Sequence, residues 1–139
     1  MLNKELSDKI LRSFYQVHYK LGFGFLEKVY KNALYLELTD LGLKCETEKP
    51  INVFYKNKVV GVFYADMVVD DKIILELKAC ETLHKEHEYQ LINYLKSCDL
   101  EIGLLLNFGK EAEIKRIIYT NNRKELPQVT KIRRIERID

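Results

Sequence analysis

In the stretch YADMVVDDKIILELKA, residues 64 to 79, Asp66, Glu76 and Lys78 stand among apolar, mostly branched side chains. Side chains alternate along a strand, so Ile73, Leu75, Leu77 and Ala79 share one face while Ile74, Glu76 and Lys78 share the other. In the preceding run Phe63, Ala65, Met67 and Val69 form an apolar set, leaving Tyr64, Asp66 and Val68 opposite. Both strands are therefore expected to bury one side and carry charge on the other. A three-residue loop of Asp70, Asp71 and Lys72 would pair Val69 with Ile73 and set Asp66 opposite Glu76 on the same face. A two-residue turn would misalign the faces. Two carboxylates at cross-strand distance, about 5 Å between Cβ atoms, repel unless something cationic sits between them.

A divalent metal with Lys78 beside it removes that penalty. Carboxylate oxygens suit a hard cation, Mg²⁺ or Mn²⁺, which keeps several waters for a substrate phosphate and a nucleophile. The chemistry this supports is metal-assisted phosphodiester hydrolysis, with the lysine orienting water and stabilising negative charge in the transition state. The same alternation equally fits a solvated ion-pair cluster on an exposed sheet face.

The elements that must position these residues can be read on either side. In LNKELSDKILRSFYQVHYKLG, Leu6, Ile10, Phe14 and Val17 make the stripe of an amphipathic helix, which Gly22 and Gly24 interrupt. A second helix carries Leu26, Val29, Ala33, Leu34 and Leu41 and stops at Gly42, a natural left-handed terminator. From Lys44 to Ala79 short β-rich runs, punctuated by Asn57-Lys58 and Asp70-Asp71, predict a three-stranded antiparallel meander. Helical spacing returns through Tyr89, Ile92, Leu95 and Lys96; EIGLLLNFG then reads as a buried strand, and EIKRIIYTN as one more. The order α, α, β, β, β, α, β, β describes an α/β domain with a mixed sheet flanked by helices.

At 139 residues, 47% hydrophobic and 32% charged, the chain suits one packed domain, expected over 1–125, followed by a basic C-terminal tail over 126–139. The stretch NNRKELPQVTKIRRIERID holds six Lys/Arg against three Asp/Glu, enough to steer a polyanion, and equally a solvated terminal segment. The net charge of +2 decides nothing, because a nuclease needs only a local positive track. No run approaches the roughly 18 apolar residues of a membrane span, and the N-terminus is too charged for a secretory signal, so a soluble, cytoplasmic protein without membrane contact is expected. Cys45, Cys80 and Cys98, odd in number and without a C-x-x-C pair, suggest neither disulfides nor a zinc or iron–sulfur site.

Asp66 followed across the hairpin by Glu76-Leu77-Lys78 resembles the PD-(D/E)XK nuclease motif, with Ala65 where the superfamily's name has proline. Gln90-Leu91-Ile92-Asn93-Tyr94 is similar to the Q-x-x-x-Y element of its RecB-like branch. Gly24-Phe25-Leu26-Glu27-Lys28-Val29-Tyr30 matches the signature of the GxxExxY protein family within that superfamily. The resemblance spans roughly residues 5 to 120. It implies a restriction-endonuclease-like core and a Mg- or Mn-dependent nuclease acting on nucleic acid, most naturally DNA. Position by position, it implies Asp66, Glu76 and the carbonyl of Leu77 as metal ligands and Lys78 as the catalytic lysine. Glu27 would approach the metal from its helix, Gln90 and Tyr94 would support the metal water, the lysine or the DNA backbone, and Tyr30 and Tyr94 would contact nucleic acid.

The residues agree in part, since Glu27, Tyr30 and Leu34 share one helical face, as do Gln90 and Tyr94 at i and i+4. Glu27 also fits a first-turn glutamate favoured by the helix dipole. His84 and His87 in HKEHE match neither H-E-x-x-H nor H-x-x-E-H and read as a solvated helix start. Gly22 and Gly24 follow a helix, where a nucleotide-binding loop would follow a strand, and read as a helix break. Most of the nine tyrosines, Tyr35 and Tyr89 included, are expected as half-buried packing. A nuclease-fold module that binds nucleic acid or protein without cutting it is the alternative function, and a metal-binding scaffold is a third. So small a nuclease has little room for specificity elements of its own, which would suit a homodimer or larger complex.

Overall fold

The computed structural model describes residues 2–124 and 128–133. Helix α1 (Lys4–Leu21) sinks Ile10, Phe14 and Val17 into the core, the spacing its sequence requires. Gly22, at φ 69°, ends it. Helix α2 (Glu27–Asp40) closes in a Schellman motif around Gly42 at φ 81°, with Gly42 N–H donating to the Thr39 carbonyl at 2.9 Å and Leu43 N–H to that of Leu38 at 3.2 Å. The buried row of α2 is Tyr30, Leu34 and Leu38, whereas Leu26, Val29 and Leu41 of the expected stripe are exposed. The face is rotated because Tyr30 packs as a core residue.

Strands β1 (Cys45–Tyr55) and β2 (Lys58–Val69) form a long hairpin. Its turn is Lys56-Asn57, both at positive φ as a two-residue hairpin turn needs, one residue earlier than expected. Strand β3 (Ile73–Lys78) pairs antiparallel with β2 through Val69↔Ile73, Val68↔Ile74 and Met67↔Leu75, the register that a three-residue loop requires. Helix α3 (Lys85–Lys96) carries the chain over to β4 (Ile102–Phe108), which runs parallel to β3, and β5 (Ala112–Ile118) returns antiparallel. The result is a mixed five-stranded sheet in the order β1-β2-β3-β4-β5, flanked by three helices.

Helices α1 and α2 cover one face, over Met67, Val69, Leu75, Leu77 and Leu104. Helix α3 covers the other with Leu91 and Leu95, over Val68, Ile74 and Leu105. The expectation of one charged, open face on β2 and β3 is thereby corrected: β3 lies at the middle of the sheet and Glu76 is only 5% exposed. The apolar set of β2 is also divided. Phe63 and Ala65 pack on the α3 side, Met67 and Val69 on the α1–α2 side. The change of side falls at Asp66, opposite which stands Glu48 at φ 54°, a backbone state that twists β1 locally.

Of the tail expected over 126–139, only 128–133 falls within the described residues. That segment lies against the domain: the Thr130 hydroxyl accepts from Asn52 N–H at 2.9 Å, and Ile132 N–H donates to Asp99 Oδ1 at 2.8 Å. Among the described residues no helix is long and apolar enough to cross a membrane.

Candidate active site

The site forms where the β2–β3 ladder opens. Beyond Met67↔Leu75 the next two amide donors are taken by side chains. Asp66 N–H donates to Glu76 Oε1 at 3.1 Å, and Leu77 N–H donates to Asp66 Oδ2 at 2.9 Å. Each carboxylate thus replaces a backbone acceptor of the opposite strand, which fixes both acids where the strands part. The apolar faces set the register, and the register brings the acids together.

Burial is the main cause that pushes the Glu76 carboxyl up to about 8, and the charge of Asp66 adds to it while Lys78 opposes it. Tyr94 reports the same charges from α3. Its phenol is raised to about 12, first by burial and then by Glu76 and Asp66, so it remains a hydroxyl donor at neutral pH. The ring stacks on Phe63, with centroids 3.6 Å apart, which ties α3 to β2 beside the acids.

N–H and C=O of one strand residue point to the same side, so the Leu77 carbonyl faces the same opening as its N–H. Among the described residues no three His, Cys, Asp or Glu side chains gather as a metal cage. The groups offered here are the carboxylates of Asp66 and Glu76 and the backbone carbonyl of Leu77, all of them oxygen donors. Such a donor set suits a hard divalent cation that keeps several waters better than it suits zinc, whose sites are mostly built from nitrogen and sulfur.

Glu27 is exposed at the first turn of α2 and lines two open depressions. One, of about 430 Å³, also includes Phe25, Leu26, Lys78 and His87; the other, of about 410 Å³, includes Lys28, Lys31, Glu48, Asp66 and Leu77. Glu27 therefore stands at the junction between the acid pair and the lysine. Gln90 is exposed one turn before Tyr94 on α3. Asp66 and Leu77 line one depression and Lys78 the other, Glu27 lines both, and Glu76 and Tyr94 stand close enough to Asp66 for its charge to act on each of them.

Tyr30 requires a correction. It is fully buried, its ring stacked on Phe108 with centroids 4.5 Å apart, and its hydroxyl donates to the Gly22 carbonyl at 2.6 Å and accepts from Phe25 N–H at 3.2 Å. A side chain so enclosed holds the α1–α2 loop and cannot touch nucleic acid. Tyr35 and Tyr89, expected as half-buried packing, are instead exposed, as are Tyr15, Tyr19, Tyr55 and Tyr64.

Three features of the site escape the sequence reading. Lys31 ion-pairs with Glu48 along the groove wall, a contact between residues seventeen apart in the chain. His87 lies beside Lys78, and its pKa is lowered by burial and then by Lys78, which favours the neutral ring. His84 caps α3, its own N–H donating to His87 Nδ1 at 3.2 Å, in keeping with a solvated helix start. Asn107 is fully buried and clamps the chain after β3, accepting from Cys80 N–H at 3.0 Å and donating to the Cys80 carbonyl at 2.9 Å. Only a motif shared by two distant segments would have revealed these contacts.

The family model of the PD-(D/E)XK nuclease superfamily matches residues 4–117, from the start of α1 into β5. No match was found among curated proteins or among solved structures. Nucleases of this superfamily generally use divalent metal ions, for which carboxylate and carbonyl oxygens are suitable donors. Because the match runs through the opening hairpin and the helices on both of its faces, the chain belongs to the PD-(D/E)XK nuclease superfamily.

Proposed function

We propose that this protein is a Mg²⁺- or Mn²⁺-dependent nuclease of the GxxExxY type, in the RecB-like branch, that hydrolyses phosphodiester bonds of DNA. The observation that carries this reading is the Asp66–Glu76 pair at the parting of β2 and β3, one acid hydrogen-bonded to the other's backbone and Lys78 two residues on. Burying two acids together costs free energy, and a bound cation offsets that cost. Asp66, Glu76 and the Leu77 carbonyl would hold the ion. When bound, a divalent cation makes water a better nucleophile at neutral pH and polarises the scissile phosphate.

The chain's own groups supply the rest. Lys78 sets a positive charge where a phosphoryl group would gain negative charge, with no reorganisation needed at the moment of reaction. Glu27, at the junction of the two depressions, orients water between acid pair and lysine. Tyr94 donates its hydroxyl from α3, and Gln90, a turn away, steadies the substrate backbone. Each residue of the GxxExxY signature also has work in the fold: Gly24 adopts φ 106°, Glu27 opens α2 at the site, and Tyr30 ties down the loop between them.

The test is cleavage of labelled single-stranded, duplex and supercoiled DNA, and of RNA, with Mg²⁺ or Mn²⁺ and with chelator. Lys78→Ala and Glu76→Ala proteins are prepared identically. Wild-type cleavage should need metal, and each variant should lose at least about 10²-fold in rate. A wild type that leaves every substrate intact while metal still raises its melting temperature would be a binding module on a nuclease fold.

A further inference from the structure

The loop between α1 and α2 exposes an unusual amount of apolar surface. Phe23 is 60%, Phe25 48% and Leu26 80% exposed, and the loop Gly22–Leu26 carries no charge. It is nonetheless held firmly: Tyr30 receives the Phe25 N–H and donates to the Gly22 carbonyl, and the Phe25 ring meets the Tyr30 ring edge-on at 6.0 Å. Phe25 and Leu26 line the depression that holds Lys78, and Phe23 lines the next one along, with Lys110. The apolar loop is thus continuous with the candidate catalytic groove, and lysines flank it.

We infer that this loop is a base-stacking lip, and that the substrate presents unpaired nucleotides to the site. The inference rests on the nuclease reading above and narrows its substrate class. Lys28, Lys78 and Lys110 can meet phosphates along the groove, whereas the uncharged Phe23, Phe25 and Leu26 gain nothing from a phosphate and much from the face of a base. Bases within a duplex are already stacked on both neighbours, so away from duplex ends it is unpaired ones that offer a free π-face to an aromatic or aliphatic side chain. A second protein fits less well. Three side chains of about 150–250 Å² or less fall short of the roughly 800 Å² per partner that a stable interface buries.

The chain has no tryptophan, so Leu26→Trp introduces a single reporter at the most exposed position of the lip. In a Lys78→Ala background without metal, a short single-stranded oligonucleotide should quench that indole saturably, and a relaxed, covalently closed duplex circle carrying the same sequence should not. The double variant Phe23→Ala, Leu26→Ala leaves the Phe25–Tyr30 contact in place and should bind single strands about tenfold more weakly, with duplex binding unchanged. Equal quenching by duplex, no quenching at all, or indole burial by self-association seen in light scattering would each overturn the lip. If the wild type cuts DNA and the double variant keeps the same preference between single strands and duplex, the lip fails while the nuclease stands. If nothing is cut but single strands alone still quench, the lip stands while the nuclease reading fails.

Discussion

A carboxyl held up to about 8 in the folded chain, against an ordinary 4.5, binds its proton more tightly folded than unfolded. The stabilising contribution of Glu76 is therefore complete below pH 4.5 and is lost as the pH rises through about 8. Glu76→Gln keeps the acceptor for Asp66 N–H without the charge. In chelator it should melt with the wild type in acid and increasingly above it toward pH 8, by on the order of a few kcal/mol at the alkaline end; parallel melting across that window would contradict the assignment. Tyr30→Phe leaves the Gly22 carbonyl and Phe25 N–H without their shared partner, and urea unfolding should show a loss of about 1–3 kcal/mol. At this scale the sequence was informative for the register that sets Asp66 beside Glu76, because the three-residue loop leaves one pairing of Val69 with Ile73. It misled on Tyr30, because the partners that enclose the ring, Gly22 and Phe108, lie on other elements.

Lys78 is the last residue of β3, and the chain just beyond it is held by one side chain from the neighbouring strand. Asn107 answers both backbone groups of Cys80 and also donates to Glu113 Oε1 at 2.9 Å, while Gly109 lies so near that a Cβ there would be 2.4 Å from the Cys80 carbonyl. Asn107→Ala should cost about 1–3 kcal/mol for each buried group left unpaired. It should also lower kcat more than it raises KM, since the lysine loses its fixed position. Equal kcat with lower stability would make the clamp purely structural. Element order and the parallel entry of β4 follow from hydrophobic period and from the helix between β3 and β4. The rotation of α2 and the covering of the second sheet face by α3 do not, because Val68 and Ile74 look alike whether buried or not until a helix is placed over them.

For the molecule as a whole, an acid pair that is costly without a cation would couple ion binding to folding. Saturating Mg²⁺ should raise the wild-type melting temperature and leave Glu76→Gln nearly unmoved. Proton balance tests the same centre more directly. A carboxyl raised to about 8 favours its protonated form near neutral pH, so an ion taking both carboxylates should expel that proton. Calorimetric titration of Mn²⁺ into the wild-type protein, repeated in buffers of different ionisation enthalpy, should show one ion bound with close to one proton released. The release should vanish well above pH 8, and Glu76→Gln should show neither proton nor tight binding. Tight binding of similar strength in Glu76→Gln would mean that the opening of the β2–β3 hairpin is not the metal centre.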